Sequence, residues 1–383
     1  PLPFDFTRAS NGTFVNKSGL IETAANGVPR IDFSDSTSGA LLLELQRTNL
    51  IPYSEGIDIG WSKLNVTVAN NQTVSPDGTL NAALSTVTST NGQHASYDTL
   101  SSSVTSGQPY YISCFVKKSN TRYIRLNEGY TGDQLYYDFD NNIATLGGGA
   151  SDKIVEDFGN GWFRIGFKFV PTTVNSQFAL YLNDNSNNNS YAGSGEDVYI
   201  YGAQIEQGSY ATSYIPTSGS AVTRVADACT NGANAQVINS TEGVLYIEAK
   251  VKTDTIFAAN CIAVSDGTDA NRLSIIMYGN INSIRASMNV GGVSQFDFNL
   301  PSGYSQEQYY KIAVSYKVND CKIFINGTKI LTDTSATMPS IGTFDRLNLD
   351  LGQGLYDFYG NVKDVKLYNT ALTDQELINL TTI

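Results

Sequence analysis

Short runs in which apolar and polar residues alternate recur along this chain, and they constrain its fold more than any other feature of the sequence. In Trp162–Phe169, three phenylalanines and one isoleucine occupy every second position. Because successive side chains of a β-strand point to opposite faces, this alternation predicts a strand with one buried face. Comparable runs return roughly every 10 to 15 residues between Trp61 and Glu206, and a second series starts near Gly243. The pattern predicts an all-β protein.

The stretch Val198–Thr217 separates the two series of strands. It begins as a run of β-branched and aromatic residues and ends in a small, polar run that is typical of an ordered linker. A chain of 383 residues is long enough for two domains that each bury their own core. We therefore predict two β-sandwiches in series, over residues 51–217 and 241–383, with an extended N-terminal β segment over 1–50 and a linker over 218–240. One helix is predicted over Thr373–Leu380, where a threonine and a glutamate have the spacing of a capping box.

The formal net charge of −12 limits the partners that this chain can have. Nucleic acid and anionic membranes attract basic proteins, so neither is expected as the main partner. The charge suits a neutral or cationic partner, or bound calcium. No run of about 18 apolar residues occurs, so no segment is expected to span a membrane. The chain starts at Pro1 without a charged and then apolar leader, and we expect it to be a processed product or a part of a longer protein.

The four cysteines do not have the spacing of a metal-binding or redox motif. They are Cys114, Cys229, Cys261 and Cys321, and three of them lie in or beside runs that resemble strands. We predict that they are reduced and buried as small apolar side chains. A disulfide between Cys261 and Cys321 is the alternative.

Several motifs in the first half of the chain resemble one family. They are NLIPYSE at 49–55, Trp61, SPDGT at 75–79, ISCFVKKS at 112–119, NGWFRI at 160–165 and YIYGAQIEQGSYATSYIPT at 199–217. With these motifs, residues 50–217 resemble the carbohydrate-binding jelly-roll modules found in tail-fibre and other virion proteins of marine phages. The N-terminal segment, from TRAS through GVPRIDF and LLLELQRTNL, is similar to the leader of those proteins. The resemblance implies glycan binding or a structural role in a virion, and hence an extracellular or virion location.

A second resemblance covers the last part of the chain. YYKIAVSYKVNDCKIFINGTKI at 309–330 and FYGNVKDVKLYNTALTDQEL at 358–377 are similar to laminin-G and concanavalin-type jelly rolls. This resemblance implies the fold of residues 241–383 and says little about a ligand, because one fold carries many functions.

The usual constellations of catalytic residues are missing from the sequence. The chain has one histidine, His94, in a polar stretch that is predicted to be an exposed loop. Retaining glycosidases of the concanavalin-like class need two carboxylates close together. The pairs Glu156–Asp157 and Glu196–Asp197 are adjacent in sequence, so their side chains would point to opposite faces of a strand. A polysaccharide lyase or glycosidase is therefore not the favoured interpretation.

One loop has the composition of a calcium site. Asp266, Asp269 and Asn271 place three oxygen-bearing side chains within six residues, as calcium-binding loops often do. The loop lacks a closing glutamate, and an ordinary β-turn is the alternative. Structural calcium is the one cofactor that we expect.

Aromatic and planar polar side chains on the solvent-facing side of three strands form the candidate binding site. Aromatic rings stack on sugar rings, and arginine or amide groups bind the sugar hydroxyls. The candidate residues are Trp162, Tyr123, Arg125, Arg164, Tyr181 and Gln177. The alternative is that Trp162 and the tyrosines pack under the N-terminal segment or against the second domain.

We therefore expect a non-catalytic protein that binds a polysaccharide or cell-surface glycan, as part of a phage tail-fibre-like adhesin. A homo-oligomer, such as the trimer of a fibre, is expected with it. The alternative is a purely structural virion or fibre domain that binds no sugar. An open groove with Trp162 exposed would favour sugar binding, and a face covered by residues 1–50 or by a neighbouring chain would favour the structural role.

Overall fold

A computed structural model of the protein describes residues 4–100, 103–252, 259–279, 282–300, 303–306 and 308–383. Strands dominate these residues, as predicted. Those of the first 207 residues are β1 (Asp5–Thr7), β2 (Gly12–Val15), β3 (Ile21–Ala24), β4 (Arg30–Asp32), β5 (Ala40–Leu43), β6 (Arg47–Asn49), β7 (Ser62–Leu64), β8 (Val66–Val74), β9 (Leu80–Val87), β10 (Asn91–Gly92), β11 (Ala95–Thr99), β12 (Tyr110–Lys118), β13 (Tyr123–Glu128), β14 (Gln134–Asp138), β15 (Ile143–Gly147), β16 (Ser151–Asp157), β17 (Trp162–Phe169), β18 (Gln177–Asn183), β19 (Tyr191–Ala192) and β20 (Asp197–Gln207).

The later strands are β21 (Val222–Arg224), β22 (Ala228–Thr230), β23 (Glu242–Val251), β24 (Ala259–Ser265), β25 (Arg272–Tyr278), β26 (Ser283–Val290), β27 (Val293–Leu300), β28 (Tyr310–Lys317), β29 (Cys321–Ile325), β30 (Thr328–Asp333), β31 (Arg346–Asn348) and β32 (Gly360–Tyr368). The helices of the described residues are the single turn α1 (Ile57–Gly60) and the C-terminal α2 (Asp374–Thr381). The α2 helix confirms the predicted capping box. The Thr373 side chain accepts a hydrogen bond from the backbone N–H of Glu376, and the Glu376 carboxylate accepts one from that of Thr373.

The chain folds into two compact units. The central unit contains Ser10–Ala24 and Gln46–Arg224, and the C-terminal unit contains the residues up to Ala9, Ala25–Leu45 and Val225–Ile383. Each unit has its own apolar core.

The central unit is a sandwich of two six-stranded antiparallel sheets. Sheet A has the order β15-β14-β13-β18-β11-β7, and sheet B has the order β16-β17-β12-β20-β9-β8. The core between them contains Ile124 and Leu180 from sheet A and Ile165 and Phe167 from sheet B, all fully buried. These are apolar positions that the sequence alternation assigns to the inner face, so the prediction of strand faces is confirmed.

The C-terminal unit is a second sandwich. Its larger sheet has the order β30-β29-β28-β23-β32-β5-β4, and its smaller sheet has the order β27-β26-β25-β24-β31. Leu245 and Ile247 on β23 pack in one core with Ile275 on β25 and Met288 on β26. The all-β fold with sandwich sheets is therefore as predicted.

Residues 1–50 contribute strands to both units and do not form one separate segment. The strands β4 and β5 extend the larger sheet of the C-terminal unit, where Leu43 of β5 pairs with Gly360 of β32. The hairpin β2–β3 and the strand β6 belong to the central unit. The predicted linker also contains the short strands β21 and β22, which pair with β6 and β1. Strands of three or four residues bury too little surface to be stable alone, so they need a partner sheet.

A buried network of ion pairs ties the N-terminal stretches of the C-terminal unit to its later part. Arg30 pairs with Glu44, with 2.6 Å between Nη1 and Oε2, and also with Asp227. Arg8 pairs with the same Asp227 across 3.1 Å, and the backbone N–H of Glu44 donates to Asp227 Oδ2 at 2.7 Å. These side chains are buried, and isolated buried charges are strongly unfavourable. The network therefore fixes three distant stretches of the chain in one arrangement.

The cysteines follow their prediction. All four are buried and unpaired, and burial raises the pKa of the Cys321 thiol to about 11.

Candidate functional site

The six predicted binding residues do not lie on one surface. Four of them are on neighbouring strands of sheet A, namely Tyr123 and Arg125 on β13 and Gln177 and Tyr181 on β18. The other two, Trp162 and Arg164, are on β17 in sheet B. The outer faces of the two layers of a sandwich point in opposite directions, so one sugar cannot contact both sets.

Trp162 is a packing residue and not an exposed platform. Its side chain is 2% exposed, and its indole N–H donates to the carbonyl of Val74 at 2.9 Å. It belongs to a small apolar cluster on the outer face of sheet B, where it packs together with Phe115 and with Ile21 of the β2–β3 hairpin. The prediction of an exposed Trp162 is therefore wrong, and this face is covered by part of residues 1–50.

Arg164 is held in the same way. Its side chain is 6% exposed, and Nη2 donates to Ser113 Oγ at 3.2 Å. Its guanidinium carbon lies 5.5 Å from the centroid of the Phe115 ring. Arg164 therefore belongs to the covered outer face of sheet B and does not join the residues of sheet A.

The outer face of sheet A carries a row of aromatic and charged side chains across three strands. Arg125 pairs in register with Tyr136 on β14 and with Tyr181 on β18. In antiparallel sheets, such directly opposite side chains lie on the same face about 5 Å apart. Further residues of the same face follow from the register two positions along each strand. We call this surface the sheet A face and define it by eight of its polar and aromatic members, Tyr97, Thr99, Tyr123, Arg125, Gln134, Tyr136, Gln177 and Tyr181. The register also places Asn127, Asp138 and Asn183 on this side of the sheet.

The tyrosines of this face are half-buried, so part of each ring is accessible. The guanidinium carbon of Arg125 lies 4.0 Å from the centroid of the Tyr181 ring, which is close stacking. Arg125 Nη1 donates to Gln134 Oε1 at 3.3 Å, and Gln177 Nε2 donates to Thr99 Oγ1 at 2.9 Å. These contacts orient planar groups beside the rings, which is the combination that recognises sugar rings and their hydroxyls.

A second arginine borders the face and is neutralised there. Arg122 donates from Nε and Nη2 to the two carboxylate oxygens of Asp138, at 3.1 and 2.9 Å. The hydrogen bonds from Arg122 hold the pKa of Asp138 well below its usual range. The guanidinium carbon of Arg122 also lies 4.7 Å from the centroid of the Tyr123 ring. This bidentate pair positions Tyr123 at the edge of the face.

A buried glutamate fixes the opposite end of the face. Glu128 Oε2 accepts from the backbone N–H groups of Tyr130 and Thr131 at 3.1 and 2.6 Å. Its Oε1 accepts from Ser176 Oγ at 3.0 Å and from the N–H of Gln177 at 2.9 Å. Glu128 thus ties the β13–β14 loop to the start of β18, and so positions Gln177.

Sequence reasoning missed four members of the face, Tyr97, Thr99, Gln134 and Tyr136. The alternation of apolar and polar residues in the sequence could have identified them. In β14, Leu135 and Tyr137 alternate with the outward residues and are fully buried. The same alternation applied to β11 and β14 identifies these residues as outward.

The candidate catalytic residues His94, Glu156 and Asp157 do not come together on the sheet A face. His94 is fully buried, which corrects the prediction of an exposed loop histidine. Its ring nitrogens lie 2.9 and 3.1 Å from the carbonyl oxygens of Asn65 and Tyr191. Glu156 pairs in register with Arg164, and Asp157 pairs with Phe163, so the two acids occupy adjacent positions and opposite faces of β16.

Sequence reasoning also missed a pair of carboxylates on the sheet B side. The Tyr201 hydroxyl lies 3.1 Å from both Glu55 Oε1 and Asp77 Oδ2, and the Tyr214 hydroxyl lies 2.9 Å from Glu55 Oε1. Burial raises the pKa of Glu55, with a smaller contribution from the charge of Asp77. At Asp77 burial also favours the neutral form, but hydrogen bonds, the first from Ser75, outweigh it and lower the pKa. These contacts join three segments of the central unit.

The candidate calcium loop is closed by its own hydrogen bonds. Asp266 Oδ1 accepts from the N–H of Thr268 at 2.9 Å, and Oδ2 accepts from Asn271 Nδ2 at 2.8 Å. Asn271 Oδ1 accepts from the N–H of Gly291, and Asp269 forms an ion pair with Arg272. Among the described residues, no group of three or more histidine, cysteine or carboxylate side chains is placed to hold a metal ion. The hydrogen bonds within the loop are those of a β-turn, the alternative interpretation, and bound calcium stays a prediction.

Comparisons with known proteins concern the fold. Residues 245–378 match the family model of the concanavalin A-like lectin/glucanases superfamily, and no curated protein matches the chain. A similar solved structure is the CBM40 module of the IT-sialidase of Ruminococcus gnavus, with 21% identity and a TM-score of 0.34 over 40% of this chain and 94% of that one. Domain 4 of AbnA, a GH43 extracellular arabinanase from Geobacillus stearothermophilus in complex with arabinotriose, has 14% identity and a TM-score of 0.33 over 45% of this chain and 83% of that one. Mouse laminin α1 domains LG4-5 have 10% identity and a TM-score of 0.27 over 74% of this chain and 89% of that one.

In the described part of the chain, no helix is long and apolar enough to cross a membrane. Residues 245–378 of the C-terminal unit carry a concanavalin-like jelly-roll domain, as the second resemblance predicts.

Proposed function

We propose that this protein is a non-catalytic glycan-binding protein and that the sheet A face binds the glycan. The observation that carries the proposal is the row Tyr136–Arg125–Tyr181, in which a stacked guanidinium lies between two partly accessible tyrosines. Amide side chains lie on the same face, at Gln134 and Gln177. Rings that stack on sugar and planar groups that bind hydroxyls are both present within a few strand spacings.

We also propose the setting in which it acts. The motifs of residues 50–217 support a phage tail-fibre-like adhesin on a virion, outside the cell, with a polysaccharide or cell-surface glycan as the proposed partner. A homo-oligomer, for instance a trimer, would present several copies of the face at once and raise the avidity. The molar mass of the whole chain in solution tests the oligomer.

Binding of the whole chain to an array of bacterial and marine polysaccharides tests the glycan-binding proposal. Truncating a central aromatic anchor of a binding site costs roughly 2 kcal/mol, or about a thirtyfold loss of affinity. We expect that loss for Tyr181→Ala and for Tyr136→Ala. The matched control is Tyr199→Ala, which removes a half-buried tyrosine from β20 of sheet B and should leave the affinity unchanged.

The competing function is a purely structural virion or fibre domain. One observation favours it, namely that the outer face of sheet B is covered by Ile21 of the β2–β3 hairpin. A folded chain that binds no polysaccharide on the array would support this function and refute ours. Equal affinity of the wild type and of Tyr181→Ala would move the site away from sheet A.

A further inference from the structure

Arg125 carries a positive charge that the described part of the chain does not neutralise. The side chain is 8% exposed, yet none of the ion pairs formed by the described residues includes it. Its one side-chain hydrogen bond goes to a neutral amide oxygen, Gln134 Oε1, at 3.3 Å, and its Nε has no hydrogen-bond partner there. A guanidinium has five N–H donors, so the described residues leave most of its donor capacity unused.

The charge of the neighbouring Arg122, by contrast, is neutralised by acidic side chains. Arg122 donates to both oxygens of Asp138 and lies 3.6 Å from Asp140. Arg122 is more exposed than Arg125 and so needs a counter-charge less, because water already solvates it. Arg125, the more buried of the two arginines, is thus the one without an acidic partner among the described residues.

Two tyrosines flank the guanidinium of Arg125 on the sheet A face. Tyr136 and Tyr181 are its register partners on the two sides, and stacking on Tyr181 fixes the plane of the guanidinium. A nearly buried cation is stabilised by an anion that pairs with it in good geometry. Planar guanidinium groups bind carboxylates in a bidentate manner, with two parallel N–H···O bonds.

We propose that the glycans bound by the sheet A face are acidic ones, and that Arg125 binds the carboxylate of a uronic acid or another carboxylated sugar. This inference rests on the glycan-binding function proposed above and adds the class of sugar. The net charge of −12 does not prevent it, because repulsion from distant exposed acids is screened beyond about 8 Å at physiological ionic strength. The acid on this side of the sheet, Asp138, is in register with Tyr123 and is already paired with Arg122.

The test compares polymers that differ only in the carboxylate. The probes are alginate and polygalacturonate, each beside its carboxyl-reduced form, with the whole wild-type chain in 0.15 M salt. We expect the carboxylated forms to bind at least about tenfold more tightly, as a charged hydrogen-bonded pair predicts. The variant Arg125→Gln should lose this difference, and Arg125→Lys should recover only part of it because a lysine has no fork of donors.

The matched control is Arg164→Gln, a similarly buried arginine that the structure places on sheet B. It should keep the preference for the carboxylated polymers. A second readout is the melting temperature, which Arg125→Gln should leave unchanged or raise, since it removes a charge without an acidic partner. A large fall in the melting temperature would show that Arg125 is a structural residue and would overturn the assignment.

The outcomes separate this inference from the function on which it rests. Equal binding of acidic and carboxyl-reduced polymers, weakened by Tyr181→Ala, would refute the carboxylate assignment and leave glycan binding intact. Binding of sulfated but not of carboxylated polymers would also refute it. No binding to any polymer would refute both proposals.

Discussion

Removing the charge of Asp227 tests whether the buried ion-pair network holds the C-terminal unit together. In Asp227→Asn, the isosteric amide offers one neutral oxygen in place of a carboxylate that accepts from Arg8, from Arg30 and from the backbone N–H of Glu44. The guanidinium groups of Arg8 and Arg30 stay where they are, and the residues are 1% and 0% exposed. The substitution therefore breaks a buried ion pair, which should lower the free energy of unfolding by about 3–5 kcal/mol.

The expected loss is large for a unit of this size. One kcal/mol lowers the melting temperature of a domain of 150 to 250 residues by about 2–4 °C, so the variant should melt about 6–20 °C lower. Calorimetry of the whole chain measures this shift, and urea unfolding gives the free energy of unfolding. Only the transition of the C-terminal unit should move, because all four members of the network belong to it.

An exposed ion pair of the same unit supplies the control. Arg285 binds Asp297 with both contacts at 2.6 Å, but the two side chains are 33% and 42% exposed. Surface pairs contribute little, so Asp297→Asn should change the free energy of unfolding by at most about 1 kcal/mol. If Asp227→Asn costs no more than this control, the buried network does not stabilise the unit and our reasoning is wrong.

Three further predictions follow from single contacts. Trp162→Ala should lower the free energy of unfolding in urea by about 3–5 kcal/mol, because a buried indole and its hydrogen bond to Val74 are lost. The glycan affinity should stay unchanged, and a loss of affinity without a loss of stability would contradict this prediction. Burial raises the pKa of Asp98 from 3.8 to about 6, so the folded state binds this proton more tightly and the free energy of unfolding should fall as the pH rises through that interval. Asp98→Asn should remove this part of the pH dependence. If the free energy of unfolding changes with pH in the same way in the variant and in the wild type, the prediction is refuted. A chelator should leave the melting temperature unchanged, since Asp266 and Asn271 already accept hydrogen bonds from their own loop; a fall that calcium reverses would support the calcium interpretation.

The sequence predicts which side of each strand is buried, but not which sheet the strand joins. Ile124 and Leu126 on β13 and Ile165 and Phe167 on β17 are buried as their alternation predicts. Alternation is a local property, with a period of two residues, and it is the same in either layer of a sandwich. Pairing partners are set by contacts between distant residues, and these place β13 beside β18 and β17 beside β12. The assignment of Trp162 to the face of Tyr181 failed for this reason.

The role of residues 1–50 could not be predicted for a related reason. Nothing local to Ala40–Leu43 indicates that it pairs with β32 near the other end of the chain. Arginine is usually an exposed residue, so Arg8 and Arg30 give no signal of burial in the sequence. Their acidic partner Asp227 lies far away in the chain, and the stability of the network depends on all of these residues together.

The motifs that carry the first resemblance report on the scaffold of the central unit and not on its ligand. Glu55 of NLIPYSE, Asp77 of SPDGT, and Tyr201 and Tyr214 of the last motif form one hydrogen-bonded network on the sheet B side. Trp162 of NGWFRI packs in the same cluster as these tyrosines.

No member of the sheet A face lies within any of the motifs that carry this resemblance. The face residues are on β11, β13, β14 and β18, in the stretches between the motifs. A protein that shares these motifs therefore need not share the residues of the face. The glycan of one such protein cannot be transferred to another on the motifs alone. Specificity has to be inferred from the positions of Arg125, Tyr136 and Tyr181, and a relative with other residues there is expected to bind a different glycan.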